Sequence, residues 1–180
     1  DYEDTPLHNI RIQTTDSTGF SAASNLQVKV TDVNDPPTSL SLDTPTIQEN
    51  EDPGSLVGTL TAEDPNPADT HTFEVLTNNN PDSALFSIQG QRLFTTATLD
   101  FETQSLYKVA ILVNDSGGNT VPMEVEVEVT DDKSEDNDGD GLTQLEEELL
   151  GTSDTSDDSD GDGLKDGREV ALGTDPKDAD

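Results

Sequence analysis

The sequence predicts a mainly β protein: a Greek-key β-sandwich followed by an acidic tail of short loop–helix units. Three patterns lead there. The first is a long internal repeat. Asp1-Tyr2-Glu3 matches Asp100-Phe101-Glu102, an offset of 99 residues (1 to 100), and the same offset puts Leu26-Gln27-Val28 on Val125-Glu126-Val127 and Val30-Thr31-Asp32 on Val129-Thr130-Asp131 without a gap. A period of about 100 residues is the size of a sandwich domain, not of a solenoid unit. The second is apolar–polar alternation in the same region, the mark of half-buried strands. The third is a short repeat near the C-terminus. Asp136-Asn137-Asp138-Gly139-Asp140-Gly141-Leu142 returns 22 residues on (136 to 158) as Asp158-Ser159-Asp160-Gly161-Asp162-Gly163-Leu164.

Taken in order, residues 1–37 hold only the last two strands of a first repeat and its linker, so the register starts inside a domain. Its missing strands come from another chain, or the domain has been cut there. Residues 38–131 hold one complete repeat. Leu56–Leu60, His71–Leu76, Phe86–Ile88, Leu93-Phe94 and Val125–Val129 read as strands, separated by Asp-Pro, Asn-Asn and Gly-Gly clusters. Leu106–Val113 is apolar on both faces near its end and reads as a central strand. Residues 132–180 are tandem Asp-rich repeats, with a thin stripe of Leu142, Leu145 and Leu149 on a short helix and Gly151 as its stop.

Composition narrows the function classes. Apolar residues make up only 29% and the net charge is −32. The charge is uneven: residues 131–180 carry 19 acidic and 4 basic side chains, the first 130 residues 21 and 4. Nucleic-acid and anionic-lipid surfaces need Lys and Arg, so both are excluded as partners. No apolar run is long enough for a transmembrane helix. The absence of Cys removes disulfides, thiolate metal sites and Cys nucleophiles together. With no initiator Met and no signal peptide, the chain reads as a piece of a larger product.

The short repeat is a cation pattern. A large, hard ion takes six to eight oxygens, and a loop with carboxylates at positions 1, 3, 5 and 12 supplies most of them. Asp136, Asp138, Asp140 and Glu147 stand at those positions in one loop, and Asp158, Asp160, Asp162 and Glu169 in the next. Gly141 and Gly163 sit at position 6, where the loop turns sharply. The cation this suits is Ca²⁺. Loops this simple bind at roughly 0.1–1 mM, which points to an extracellular or cell-surface setting.

Five motifs in order make residues 1–131 resemble cadherin repeats. Leu99-Asp100-Phe101-Glu102, with its earlier copy Asp1-Tyr2-Glu3, resembles the family's Asp-Arg-Glu-type motif. Thr31-Asp32-Val33-Asn34-Asp35-Pro36-Pro37 resembles the linker Asp-x-Asn-Asp-Asn-x-Pro, with Pro36 in place of the second linker Asn. Gln48-Glu49-Asn50 resembles the acidic motif of the first strand. Ala62-Glu63-Asp64-Pro65-Asn66 resembles Asp-x-Asp, with Asn66 in place of an Asp. Asn114-Asp115-Ser116-Gly117 resembles Asp-x-Gly. The resemblance implies an immunoglobulin-like, cadherin-type sandwich with a Ca²⁺ cluster between repeats. Its ligands would be Asp1 and Glu3 from the upper repeat, Asp32, Asn34 and Asp35 from the linker, and Asp64, Asn66 and Asp115 from the lower repeat. At the far end Glu49, Asp100, Glu102 and Asp131 have matching chemistry, although the linker there, Thr130-Asp131-Asp132-Lys133, lacks the Asn-Asp-Pro part.

Residues 132–180 resemble bacterial thrombospondin type 3-like repeats. That likeness adds the backbone carbonyls of Leu142 and Leu164 at position 7, and Gln144 and Asp166 at position 9. Thr143 and Lys165 stand at position 8, where a paired EF-hand has an apolar residue, so lone loop–helix units are expected.

No catalytic constellation competes with these readings. No His is placed to activate a Ser, and Gly-x-Ser-x-Gly is absent. The Asp/Glu pairs are better explained as ligands than as a glycosidase pair. His8 and His71 read as surface strand residues, and Tyr2 and Tyr107 as packing residues. The expected function is therefore a non-enzymatic, calcium-rigidified extracellular segment of a larger secreted or surface protein of bacterial type, for adhesion or spacing. Two alternatives stand beside it: a calcium-dependent module binding an extracellular polysaccharide or another protein chain, and an accessory region of an extracellular enzyme.

Overall fold

The computed structural model describes residues 2, 4–78 and 80–179. Strands β1 (Leu7–Thr15) and β2 (Ser21–Lys29) form an isolated antiparallel hairpin, with Leu7 opposite Lys29 and Thr15 opposite Ser21. Both faces of this ribbon are exposed, Ile10, Ile12, Leu26 and Val28 included, because no second sheet lies against it among the described residues.

Residues 39–130 close into a two-sheet sandwich. One sheet contains β3 (Ser39–Leu42), β5 (Leu56–Glu63), β7 (Phe86–Gln89) and β8 (Arg92–Thr95), in the order β3-β5-β8-β7. The other contains β4 (Thr46–Gln48), β6 (His71–Val75), β9 (Leu106–Asp115) and β10 (Thr120–Thr130), in the order β4-β10-β9-β6. All pairings are antiparallel except that of β4, which runs parallel to β10 with Ile47 opposite Val129.

The expected central strand is β9, flanked on both sides. Its Tyr107, Val109, Ile111 and Val113 are buried, and Ala110 and Leu112 on the other face are half-buried. The four buried side chains share one core with Leu60, Leu93 and Phe86 of the facing sheet, and Phe86 lies edge-on to Tyr107 with ring centroids 6.0 Å apart. Each such side chain contributes about 1.5–3 kcal/mol on burial. The short strands β3 and β4 and the 3-10 turn Asp82–Leu85 have no alternation long enough to show in the sequence.

The tail carries two seven-residue helices, α1 (Gln144–Leu150) and α2 (Asp166–Leu172), each closed by a left-handed glycine, Gly151 and Gly173. Helix α1 starts on a capping box: Thr143 accepts from the Glu146 N–H while the Glu146 carboxylate accepts from the Thr143 N–H at 2.9 Å. That role accounts for a hydroxyl residue at position 8 of this loop. The expected leucine stripe differs from what is observed. Leu142 is buried, but Leu145 is 50% and Leu149 80% exposed, whereas Glu147 is 1% exposed. The helix turns a carboxylate inward because the loop at its foot, not an apolar partner, is what it packs against.

Candidate metal centres

Oxygen-rich clusters lie at both poles of the sandwich and in both tail loops. At the upper pole, Asp64, Asp69 and Asp115 bring carboxylate oxygens within 4.8 Å of one another. The linker folds over them. The Asn34 amide donates to Asp115 Oδ2 at 2.9 Å, and the Asp35 N–H donates to Asn66 Oδ1 at 2.7 Å. The Asn66 amide reaches Asp32 Oδ1 at 3.3 Å, and its N–H donates to Asp64 Oδ1 at 2.8 Å. Burial pushes the Asp115 carboxyl up, but hydrogen bonds donated by Asn119, Asn34 and Gly118 outweigh it and hold the group below the ordinary value. Asp69 was not foreseen, since no motif marks it. Its Oδ2 is buried without a partner. His71 is a correction: it is part-buried and lies 3.1 Å from Asp64 Oδ2 across the site, so it is no free surface residue. Asp1 and Glu3 lie outside the described residues.

At the lower pole Glu49, Glu102 and Asp131 converge. Glu49 is 3% exposed and ties the pole together, accepting from the N–H of Phe101 at 2.7 Å and of Asp132 at 2.6 Å. Burial, with Glu49, Asp131 and Glu135 nearby, raises the Glu102 pKa. Asp100 stands apart from this group. It accepts from the Thr103 N–H and hydroxyl at 3.0 and 2.8 Å, and the hydroxyl bond, with the N–H bond behind it, lowers its pKa. Gln144 is placed here too. Its amide donates to Asp131 Oδ2 at 3.2 Å, while Gln144 Oε1 and Asp131 Oδ1 are buried without partners.

The two tail loops repeat one hydrogen-bond plan. Asp136 and Asp158 each receive the N–H groups of residues three and five further on: Gly139 and Gly141 at 2.8 and 3.0 Å, Gly161 and Gly163 at 2.7 and 2.9 Å. Gly141 and Gly163 take φ values of 98° and 97°, which a side chain rarely adopts. Asp140 Oδ1 accepts from the Leu142 N–H, and Asp162 Oδ1 from the Leu164 N–H, both at 2.7 Å. The loop carboxylates therefore point inward, as Asp136–Asp138–Asp140 and Asp158–Asp160–Asp162. Asp138 Oδ2, Asp160 Oδ2, Glu169 Oε2 and both Glu147 oxygens are buried with no donor. Burial, with Asp138, Asp154 and Asp140 beside it, pushes Glu147 from 4.5 up to about 7. Burial likewise raises Asp138, Asp160 and Glu169. Asp154 was also missed by the sequence reading: it accepts from the Asn137 amide at 2.8 Å, and its other oxygen is buried without a partner. Asp166 lies with Asp140 and Glu147 of the first loop.

Buried, mutually repelling carboxylates without donors are costly alone, at about 3 kcal/mol per pair at 5 Å and an effective dielectric of 20. Their all-oxygen chemistry suits a hard divalent cation, which turns the repulsion into attraction.

The sandwich has the fold of cadherin extracellular domains. Over 74% of its length and 34% of theirs, the chain superposes on protocadherin gamma B7 domains 1–4 with a TM-score of 0.53 at 25% identity, and on protocadherin gamma B2 domains 3–6 with a TM-score of 0.51 at 20% identity. The cadherin domain model matches residues 44–130, and the bacterial TSP3 repeat model matches residues 158–179, in the order the two sequence repeats predict. Human protocadherin gamma-A4 is 29% identical over 137 residues, covering 72% of this chain and 14% of that protein. Human protocadherin Fat 4 is 33% identical over 126 residues, covering 65% of this chain and 2% of that protein. The chain thus spans a small part of the relatives it matches. Among the described residues, no helix is long and apolar enough to cross a membrane.

Proposed function

We propose that this chain is a calcium-binding, calcium-stiffened extracellular segment of adhesion type, a spacer between other parts of a secreted or surface protein. The observation that carries this reading is Glu147, a carboxylate 1% exposed with neither oxygen hydrogen-bonded and Asp138, Asp140 and Asp154 around it. A carboxylate in such company stays ionised only with a cation beside it. The upper-pole set Asp32, Asn34, Asp35, Asp64, Asn66 and Asp115, joined by Asp1 and Glu3, would hold calcium between hairpin and sandwich. Glu49, Glu102 and Asp131 would hold it between sandwich and tail, with Asp100 at that pole. The two loops would each take an ion through their Asp residues, the carbonyls of Leu142 and Leu164, and Glu147 or Glu169. Bound ions supply the positive charge that fixes these junctions. The chain's own residues set the geometry, through the N–H groups that orient each carboxylate. The partners consistent with this role are neighbouring repeats or another chain, and no catalysis is assigned.

Calcium titration by calorimetry, with small-angle scattering before and after, tests this. Several binding events and a stiffer, more compact profile are expected. No heat, with an identical profile in EDTA, would overturn it.

A further inference from the structure

The tail loops do not use their position-9 side chains in the way a self-contained loop does. Asp166 belongs to the second repeat, yet its carboxylate meets Asp140 and Glu147 of the first, all within 4.8 Å. It is 0% exposed, and Glu147 opposite it is fully buried with both oxygens unpartnered. The approach is tight. The Gly167 N–H donates to Asp140 Oδ2 at 2.6 Å, and a Cβ on Gly167 would collide with the Asp140 carbonyl oxygen. Ser159 holds Asp166 in place through its N–H at 2.9 Å and its hydroxyl at 2.6 Å, leaving lone pairs on both carboxylate oxygens. Lys165, next to Asp166 in the chain, is engaged by Asp157 at 2.6 Å.

Gln144, the residue equivalent to Asp166 in the first repeat (144 to 166), repeats the arrangement one step upstream. It reaches back to Asp131 at the lower pole of the sandwich rather than into its own loop. The backbone matches: the Gln144 N–H donates to the Glu135 carbonyl at 2.8 Å, and the Asp166 N–H to the equivalent Asp157 carbonyl at 3.1 Å.

We infer that each position-9 side chain is lent to the preceding cation site, so that Asp140, Glu147 and Asp166 form an inter-repeat calcium site that the first loop cannot complete alone. This rests on the calcium reading above. Its consequence is directional: the first loop's affinity depends on the second repeat being docked. Taking Asp166 away removes one anionic ligand from the first site, while in the second Asp158, Asp160 and Asp162 keep their own N–H donors and only the Ser159 contact and a neighbouring charge change.

The test is a calcium chloride titration of the whole 180-residue chain by amide NMR. Gly141 and Gly163, whose N–H groups point at the first Asp of each loop, report the two loops separately. In Asp166→Asn, which keeps the shape and the bond from the Ser159 N–H, the Gly141 midpoint is expected to rise about tenfold or more, and the Gly163 midpoint far less. In Gly167→Ala, which keeps every carboxylate but crowds the Asp140 carbonyl, the Gly141 midpoint is expected to rise again. An unmoved Gly141 midpoint in both variants overturns the inference, as does a Gly163 midpoint that moves as much as or more than that of Gly141 in Asp166→Asn. Failure of the calcium reading itself looks different: neither glycine responds in the unmutated chain.

Discussion

The fully buried side chains of the sandwich are Leu60, Leu93, Val109, Ile111, Val113, Val127 and Val129, with Ser83; those of the tail are Glu147, Asp166 and Glu169. Both regions keep a fixed backbone plan, one through strand ladders and the other through a repeated set of N–H to carboxylate bonds. Their driving forces are opposite. Apolar burial is favourable in water without help, while burial of anions is unfavourable until a cation joins them. On the proposed calcium reading, one chain would hold a part stabilised by apolar burial and a part whose folding is a binding reaction.

The largest expected effect is removal of divalent cations. In EDTA the tail is expected to lose helices α1 and α2 and become the first site of proteolysis, within residues 132–179, while the sandwich amides stay protected. Equal protection of both regions in EDTA would erase the distinction. Next in size is truncation in the apolar core. Ile111→Ala, at a position 0% exposed, is expected to cost about 2–5 kcal/mol in sandwich stability, with or without calcium. A chemical-denaturation midpoint that moved only in EDTA would argue that the sandwich, too, is held by ions.

Glu147→Gln sharpens the comparison by its sign. Removing one buried charge should stabilise the cation-free tail and weaken calcium binding in the first loop. Calorimetry paired with thermal unfolding reads both, and a variant that lost stability without calcium would contradict an anionic core. The pH dependence follows the same logic. Glu147 is raised from 4.5 to about 7, so the folded tail binds this proton more tightly than the unfolded tail does. That contribution is fully present below about pH 4.5 and lost as pH rises through about 7. The cation-free tail should therefore weaken across this window while its calcium affinity grows, because protons and calcium compete for one carboxylate. The smallest effect is Leu149→Ala, at a side chain 80% exposed: a change within about 0.5 kcal/mol.

What could be read in the sequence was whatever repeats or alternates. Strand β9 showed its two-sided apolar pattern, β10 its period of two, and the tail loops their Asp spacing, because backbone geometry imposes those periods locally. The stripe of Leu145 and Leu149 was also legible and pointed to the wrong face, since periodicity cannot reveal that the neighbour is a carboxylate loop. Asp69, Asp154 and the contact of His71 with Asp64 had no local signature. They matter through residues brought near in space, Ser116, Asn137 and Asp64 respectively.

The sequence by itself determined the two repeat lengths, the order of sandwich and tail, and an all-oxygen set of carboxylate and amide donors. Only the tertiary structure decided which oxygens share a site. Spacing along a loop sets the direction of a side chain within its own turn, whereas Asp166 meets Glu147 because Gly167 lets one repeat settle against the carbonyl of another. That contact is made by packing between units, and no period along the chain encodes it.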